Sequence, residues 1–184
     1  MNLRPAKSNT PSPRRTRVGR VVATLVAATA GGSGLLLATA GTAHAAQVSS
    51  FSTLVPSSDW LNVAVAGGST SPGAPIIQWW ATGGAEQEWQ LPANNTTGEI
   101  INQNSGMCIT TDGVAGDQLF QEPCQGSVTQ LWYAQHSFDA PNVFQSPTGL
   151  VMDVDGYAMY AGGHIDAWYE NGQANQYFWS ASDY

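Results

Sequence analysis

Three stretches of the chain end on one local pattern, Gln87-Glu88-Trp89, Gln130-Leu131-Trp132 and Gln176-Tyr177-Phe178, with the aromatic positions 43 and then 46 residues apart. A period held twice marks an internal repeat, and it constrains the fold more than any other feature. A unit of roughly 45 residues is too small to bury its own apolar face and must share a core with the other two. The rest of each unit keeps the same order. A turn built from Ser58-Asp59, Ser105-Gly106 or Thr148-Gly149 leads into a short apolar segment, which reads Trp60-Leu61-Asn62-Val63, Cys108-Ile109-Thr110-Thr111 or Val151-Met152-Asp153-Val154. A second segment precedes each triplet: Ile76-Ile77-Gln78-Trp79, Leu119-Phe120-Gln121-Glu122 or Ile165-Asp166-Ala167-Trp168. The repeats thus run over about 47–92, 93–136 and 137–184.

The units are expected to be all-β. Gly, Pro, Ser, Thr, Asn and Asp interrupt the chain every few residues, and no long stretch sustains apolar spacing at i, i+3, i+4 and i+7. Three such units can close into a barrel with pseudo-threefold symmetry, which removes exposed sheet edges. The Gln and the aromatic of each triplet are read as lying two apart on a strand, with the ring filling the core and the buried amide satisfying backbone groups.

Charge is divided along the chain. All six Lys and Arg precede residue 21, and all 13 Asp and Glu follow residue 58. Residues 1–45 read as a signal peptide: a basic stretch ending at Arg20, an apolar stretch from Val21 to Ala40, and Ala43-His44-Ala45 as the cleavage pattern. A membrane anchor is the competing reading, weakened by Gly31-Gly32-Ser33-Gly34 in the middle of the apolar stretch. Arg14-Arg15 leaves the export route, general or twin-arginine, open. The single domain expected at 46–184 then carries no Lys or Arg and a formal charge near −13. Such a surface excludes nucleic acid and acidic lipid as partners, since both are held by Lys and Arg. In an exported chain Cys108 and Cys124, sixteen positions apart, read as one structural disulfide worth roughly 3 kcal/mol in the chain-entropy picture. Two free buried thiols are the alternative.

The Q-x-W triplets, the Leu-Asp-Val-like segment opening each unit and the paired cysteines inside one unit resemble the ricin B-type lectin family, from about Val48 to Tyr184. The resemblance implies a β-trefoil that binds carbohydrate without catalysis and without a cofactor. In that pattern the Asp of the Leu-Asp-Val segment accepts sugar hydroxyls, the aromatic of the next strand stacks on the sugar, and an Asn-Gln pair at the triplet fixes a hydroxyl. The third repeat matches with Asp153, Trp168, Asn175 and Gln176, and Asp166 is a further acceptor on the face of Trp168, its rival role being solvation of an exposed edge. The first repeat keeps Trp79 and Gln87 but has Asn62 in the place of the Asp and Glu86 in the place of the Asn. The second, with Thr110, Glu122 and Thr129, reads as a silent copy stapled by its cysteines. Phe178 stands where the other triplets have Trp.

The chemistry of the third repeat also makes sense unaided. A carboxylate takes hydrogen bonds from two neighbouring hydroxyls, an indole face accepts the C–H patch of a pyranose, and an amide both donates and accepts. Other chemistries are poorly supported. Asp153-Val154-Asp155-Gly156 starts like a calcium loop but lacks the closing Glu. Neither His136 nor His164 has a nucleophile motif beside it, zinc ligands are not suitably spaced, and a glycosidase would rest on a shallow Asp153 and Asp166 pair. Asn94 and Asn95 lie in sequons that mark an exposed loop. The expectation is a secreted, non-catalytic lectin for galactoside- or pentose-type sugars of glycans or polysaccharides, with no metal, no stable membrane insertion and an open oligomeric state. A protein-binding trefoil such as a protease inhibitor is the alternative.

Overall fold

The computed structural model describes residues 47–136 and 140–180. The expected leader, 1–45, lies outside the described residues. Thirteen short strands and five single-turn 3₁₀ segments make up the described part, four strands to a repeat with the first strand of the second repeat split in two. The first repeat holds β1 (Gln47–Pro56), β2 (Asn62–Val65), β3 (Ile76–Trp79) and β4 (Glu88–Pro92). The second holds β5 (Thr97–Gly98), β6 (Ile101–Asn102), β7 (Cys108–Thr110), β8 (Phe120–Glu122) and β9 (Trp132–Gln135). The third holds β10 (Val143–Gln145), β11 (Leu150–Val154), β12 (Ile165–Tyr169) and β13 (Phe178–Ser180).

The outer strands of the repeats close on one another. β1 pairs with β13 and β4, β4 with β6, β5 with β9, and β9 with β10. The bridge Asn142↔Phe178 completes the ring. Among the described residues each outer strand is paired with a neighbour, which is how a chain of short strands avoids aggregation. The inner strands form three hairpins, β2–β3, β7–β8 and β11–β12. Backbone bonds from Ile76 N–H to the Leu119 carbonyl and from Leu119 N–H to the Ile165 carbonyl, both 2.8 Å, tie the hairpins together.

Threefold positions fill the core. Trp89, Trp132 and Phe178 are fully buried, as are Ile76, Leu119 and Ile165. The indole N–H of Trp89 donates to the Val63 carbonyl at 3.0 Å, and that of Trp132 to the Ile109 carbonyl at 3.1 Å. Phe178 has no such donor and packs instead on Phe144, with ring centroids 6.2 Å apart.

The triplet glutamines are not on strands. Gln87, Gln130 and Gln176 end the 3₁₀ turns that precede β4, β9 and β13. Each amide clasps the preceding loop. Gln87 accepts from Thr82 N–H and donates to the Trp80 carbonyl, both at 2.8 Å. Gln130 does the same with Gln125 and Pro123, and Gln176 with Asn171 and Tyr169. The amides do satisfy backbone groups, as expected, but from a turn, because three residues of tight helix are what aims the side chain back at the loop. The cysteines form the expected disulfide, with Cα atoms 5.1 Å apart.

The register of the first repeat departs from expectation. Thr110 pairs with Phe120, and Asp153 with Asp166. The first-repeat pair at that place is Ala64↔Ile77, with Val65 opposite Ile76 as Val154 is opposite Ile165. Asn62-Val63-Ala64-Val65 is therefore the segment equivalent to Val151-Met152-Asp153-Val154. Asn62 corresponds to Val151, and Ala64 to Asp153.

Candidate functional site

The hairpin β11–β12 sets Asp153 directly opposite Asp166. Facing carboxylates repel, and both are almost fully buried, at 4% and 3% exposure. Burial is the main cause that lifts both groups: Asp153 goes up to about 6, against the lowering effect of the Gln176 and Asn175 amides, and Asp166, pressed further by the charge of Asp153, goes up to about 7. Two carboxyls held face to face favour the state in which one of them keeps its proton. Asp166 is not the solvated edge that was its rival reading.

Asn175 arrives from the turn that the Gln176 clasp holds. Its Nδ2 donates to Asp153 Oδ2 at 2.8 Å and to the Val154 carbonyl at 3.2 Å. Asp166 Oδ1 and Asn175 Oδ1 are buried with no hydrogen-bond partner. Trp168 lies two residues beyond Asp166 on the same strand face, 42% exposed and edge-on to Tyr169. These side chains line one cleft of about 310 Å³. Asp153, Asp166, Trp168 and Asn175 are thus brought together as the sequence suggested. Gln176 stands behind them, with both ends of its amide taken by backbone.

Sequence reasoning missed the opposite wall. Tyr157 lines the cleft and holds a left-handed backbone, φ 59°, rare for a residue with a side chain. The turn Asp155–Tyr157 bends the chain so that the phenol oxygen reaches the next loop, where it accepts from Ala174 N–H at 3.2 Å. The first-repeat turn has Gly68 at that place with φ 62°, the same backbone without the ring. Asp155-Gly156-Tyr157 beside Ala66-Gly67-Gly68 is the sequence signal that could have shown it. Asp155, Asn171 and Gln173 line the cleft as well.

The first repeat forms a cleft at the same place, about 270 Å³, with Trp79 as its indole wall. Its floor is Ala64 and Ile77 where the third repeat has two carboxylates. Glu86, in the place of Asn175, accepts from Thr82 Oγ1 at 2.7 Å. The expected Asn62 is buried away from this cleft and donates to Gln87 Oε1 at 3.3 Å, and Gln87 is taken up by its clasp. In the second repeat Thr110 is spent on the Cys108 carbonyl and on Gln130.

Residues 53–179 match the family described as ricin-type beta-trefoil lectin domain. No curated protein sequence matches the chain. The fold is similar to the designed threefold-symmetric protein ThreeFoil, with 21% identity, a TM-score of 0.66, and coverage of 71% of this chain and 96% of ThreeFoil. It is similar to an exo-beta-1,3-galactanase from Clostridium thermocellum, with 25% identity and a TM-score of 0.67 over 72% of this chain but only 30% of the galactanase. The C-half of the earthworm R-type lectin, solved with GalNAc, gives 21% identity and a TM-score of 0.60 over 71% of this chain and 97% of that one. The repeat, the closed barrel and a family match over more than half of the sequence agree: the chain belongs to the ricin-type beta-trefoil lectin domain family and is a carbohydrate-binding domain.

Proposed function

We propose that the third repeat holds the sugar site and that the protein is a secreted, non-catalytic lectin. The observation that carries this reading is one cleft in which a half-exposed indole, Trp168, stands beside the buried acceptors of Asp153, Asp166 and Asn175. A pyranose stacked on Trp168 would present its ring edge to Asp153 and Asn175, with Asp166 as the extra acceptor. In the first repeat Trp79 remains without a carboxylate beneath it, so that cleft does not share the polar part of the site.

The carboxylates do not suit glycoside cleavage. A glycosidase places its two acids about 5–9.5 Å apart across the scissile bond, whereas Asp153 and Asp166 stand directly opposite each other in one hairpin. Galactoside recognition is supported by the neighbours solved with GalNAc or named as a galactanase, and a pentose is the other class the family resemblance suggests. A shallow site with one stacked ring gives a dissociation constant on the order of millimolar, about −4 kcal/mol. Retention on a polysaccharide would then depend on several copies acting together. Export rests on the basic and apolar stretches of residues 1–45 and on the disulfide-linked Cys108 and Cys124.

A glycan array with the protein and its Asp153→Ala and Trp168→Ala variants tests the reading. Binding to a galactose- or pentose-terminated glycan, abolished by either change, is the expected result. A folded protein that binds no glycan would overturn it and direct attention to a protein partner held by the loops.

A further inference from the structure

We propose that the third-repeat cleft selects an amino sugar with a free ammonium group, held between Asp153, Asp166 and Asn175. This rests on the third repeat being the sugar site, and it names the class of sugar.

The direction of the hydrogen bonds is the first ground. Asn175 has spent its Nδ2 on Asp153 and on the Val154 carbonyl, so what it offers a ligand is Oδ1, which has no partner. Asp166 Oδ1 is likewise buried without a partner. The Gln176 amide behind them accepts from Asn171 N–H and donates to the Tyr169 carbonyl, and the donors that line the cleft, on Tyr157, Trp168, Asn171 and Gln173, belong to exposed side chains. The buried polar groups of the cleft, the carboxyls of Asp153 and Asp166 and Asn175 Oδ1, therefore meet a ligand as acceptors. A sugar hydroxyl brings one donor and also looks for a donor in return, whereas an ammonium brings three donors and accepts nothing.

Charge is the second ground. Asp153, Asp155 and Asp166 all line the cleft, and Tyr157 is the other titratable group facing them. The described residues contain no Lys or Arg, and neither His136 nor His164 lines the cleft. Two carboxylates set directly opposite each other thus have no Lys or Arg among the described residues to relieve them, and a neutral sugar relieves neither. A ligand ammonium supplies the missing charge and displaces the proton that the pair otherwise shares.

The first repeat shows that the carboxylates are not there for the fold. The same hairpin register, turn and indole are kept with Ala64 and Ile77 in their places. The pair is an addition to a scaffold that closes without it.

The test is calorimetric titration at pH 7 and low salt with galactosamine, galactose and N-acetylgalactosamine as probes. The expected result is galactosamine binding tighter than either neutral sugar by about tenfold, with proton release seen as a dependence of the heat on the buffer. Asp166→Asn should bring the affinities for the three sugars together. Should that variant fold poorly, Asp166→Ile, which copies the first repeat, serves the same purpose. Glu122→Gln, in the second repeat, removes one charge elsewhere and should leave the preference intact. Equal affinities, a preference that survives in the Asp166 variants, or one lost equally in Glu122→Gln would overturn the proposal. Galactose binding without an amine preference would leave the sugar site standing and sink only this inference, and binding of none of the three would sink both.

Discussion

Trp168 of the third repeat rests its ring on Gly116 of the second: Cζ3 lies 3.0 Å from where a Cβ on Gly116 would stand. The indole wall is thus positioned by a neighbouring repeat, and the absence of a side chain there is part of the site. Gly116 also has φ +90°, where an L residue is strained. Gly116→Ala should cost on the order of 1–3 kcal/mol and weaken ligand binding by displacing the ring. Gly162→Ala is the matched control, with φ +93° and its nearest contact Trp79 at 3.6 Å. Thermal melts should show a similar loss in both variants, and sugar titration should show weakened binding only in Gly116→Ala. Equal affinities in the two would mean that Trp168 does not depend on Gly116.

Stability should fall as pH rises through the range in which the Asp153 and Asp166 pair gives up its protons. Both groups have folded values above the unfolded one of 3.8, at about 6 and about 7. Between those limits the folded state binds more protons than the unfolded state, so the stabilisation is complete below pH 4 for these two groups and is lost by pH 7 to 8. Counting the pair as one shared proton, the loss is on the order of 2–4 kcal/mol. The melting temperature should therefore rise as pH is lowered from 8 toward 5, by several degrees, and Asp166→Asn should flatten that slope. Repulsion among the carboxylates of the chain at large predicts the same direction. A slope unchanged in Asp166→Asn, but removed by salt, would assign it to that general repulsion.

How much of this could be read from residues alone follows from which features are local. The triplets announce three repeats because the buried rings at 89, 132 and 178 and the clasping amides two residues earlier are set by their own turns. Asp153, Trp168 and Asn175 are legible for the same reason, each at a fixed place within one unit. The register of the first repeat is not local. Trp60-Leu61-Asn62-Val63 and Asn62-Val63-Ala64-Val65 alternate equally well, and only the pairing of Ala64 with Ile77 decides between them. Counting back from the triplet would have found it, since Ala64 precedes Trp89 by 25 residues, as Asp153 precedes Phe178. Tyr157 was hidden because a tyrosine with a left-handed backbone is contrary to its preference, and only the turn around it explains the choice.

Because the first-repeat cleft keeps the backbone and the indole of the third, the missing polar groups can be supplied. Ala64→Asp with Glu86→Asn would place a carboxylate where Asp153 stands and an amide where Asn175 stands. The new Asp is buried beside Ile77, so a stability cost of about 1–3 kcal/mol is expected. The stoichiometry of sugar binding should rise from one to two per chain, measured by calorimetry. With no Asp across from it, the new site should show no amine preference beyond that of a single carboxylate. A stoichiometry that stays at one in a folded variant would mean that Tyr157, absent from the first repeat, is indispensable.

The disulfide staples a repeat that does not form the cleft, and its loss should separate stability from binding. Cys108 is buried at the start of β7, and Cys124 is exposed in the loop after β8. The same loop is held a second time by Gln130, which donates to the Pro123 carbonyl at 3.0 Å and accepts from Gln125 N–H at 2.8 Å. The corresponding loops of the first and third repeats have the Gln clasp without a disulfide, with Asn62 and Ala81 in one and Val151 and Glu170 in the other at the cysteine positions. Two of the three hairpins therefore fold without a covalent tie, and the third should also. Reduction, or Cys108→Ser with Cys124→Ser, should cost up to roughly 3 kcal/mol by freeing the loop in the unfolded chain. Below the lowered melting temperature, sugar affinity should be unchanged, because Asp153, Trp168 and Asn175 lie in another repeat. Affinity lost on reduction at a temperature where the barrel is still folded would mean that the staple also fixes the Gly116 loop, and through it the indole on which the site depends.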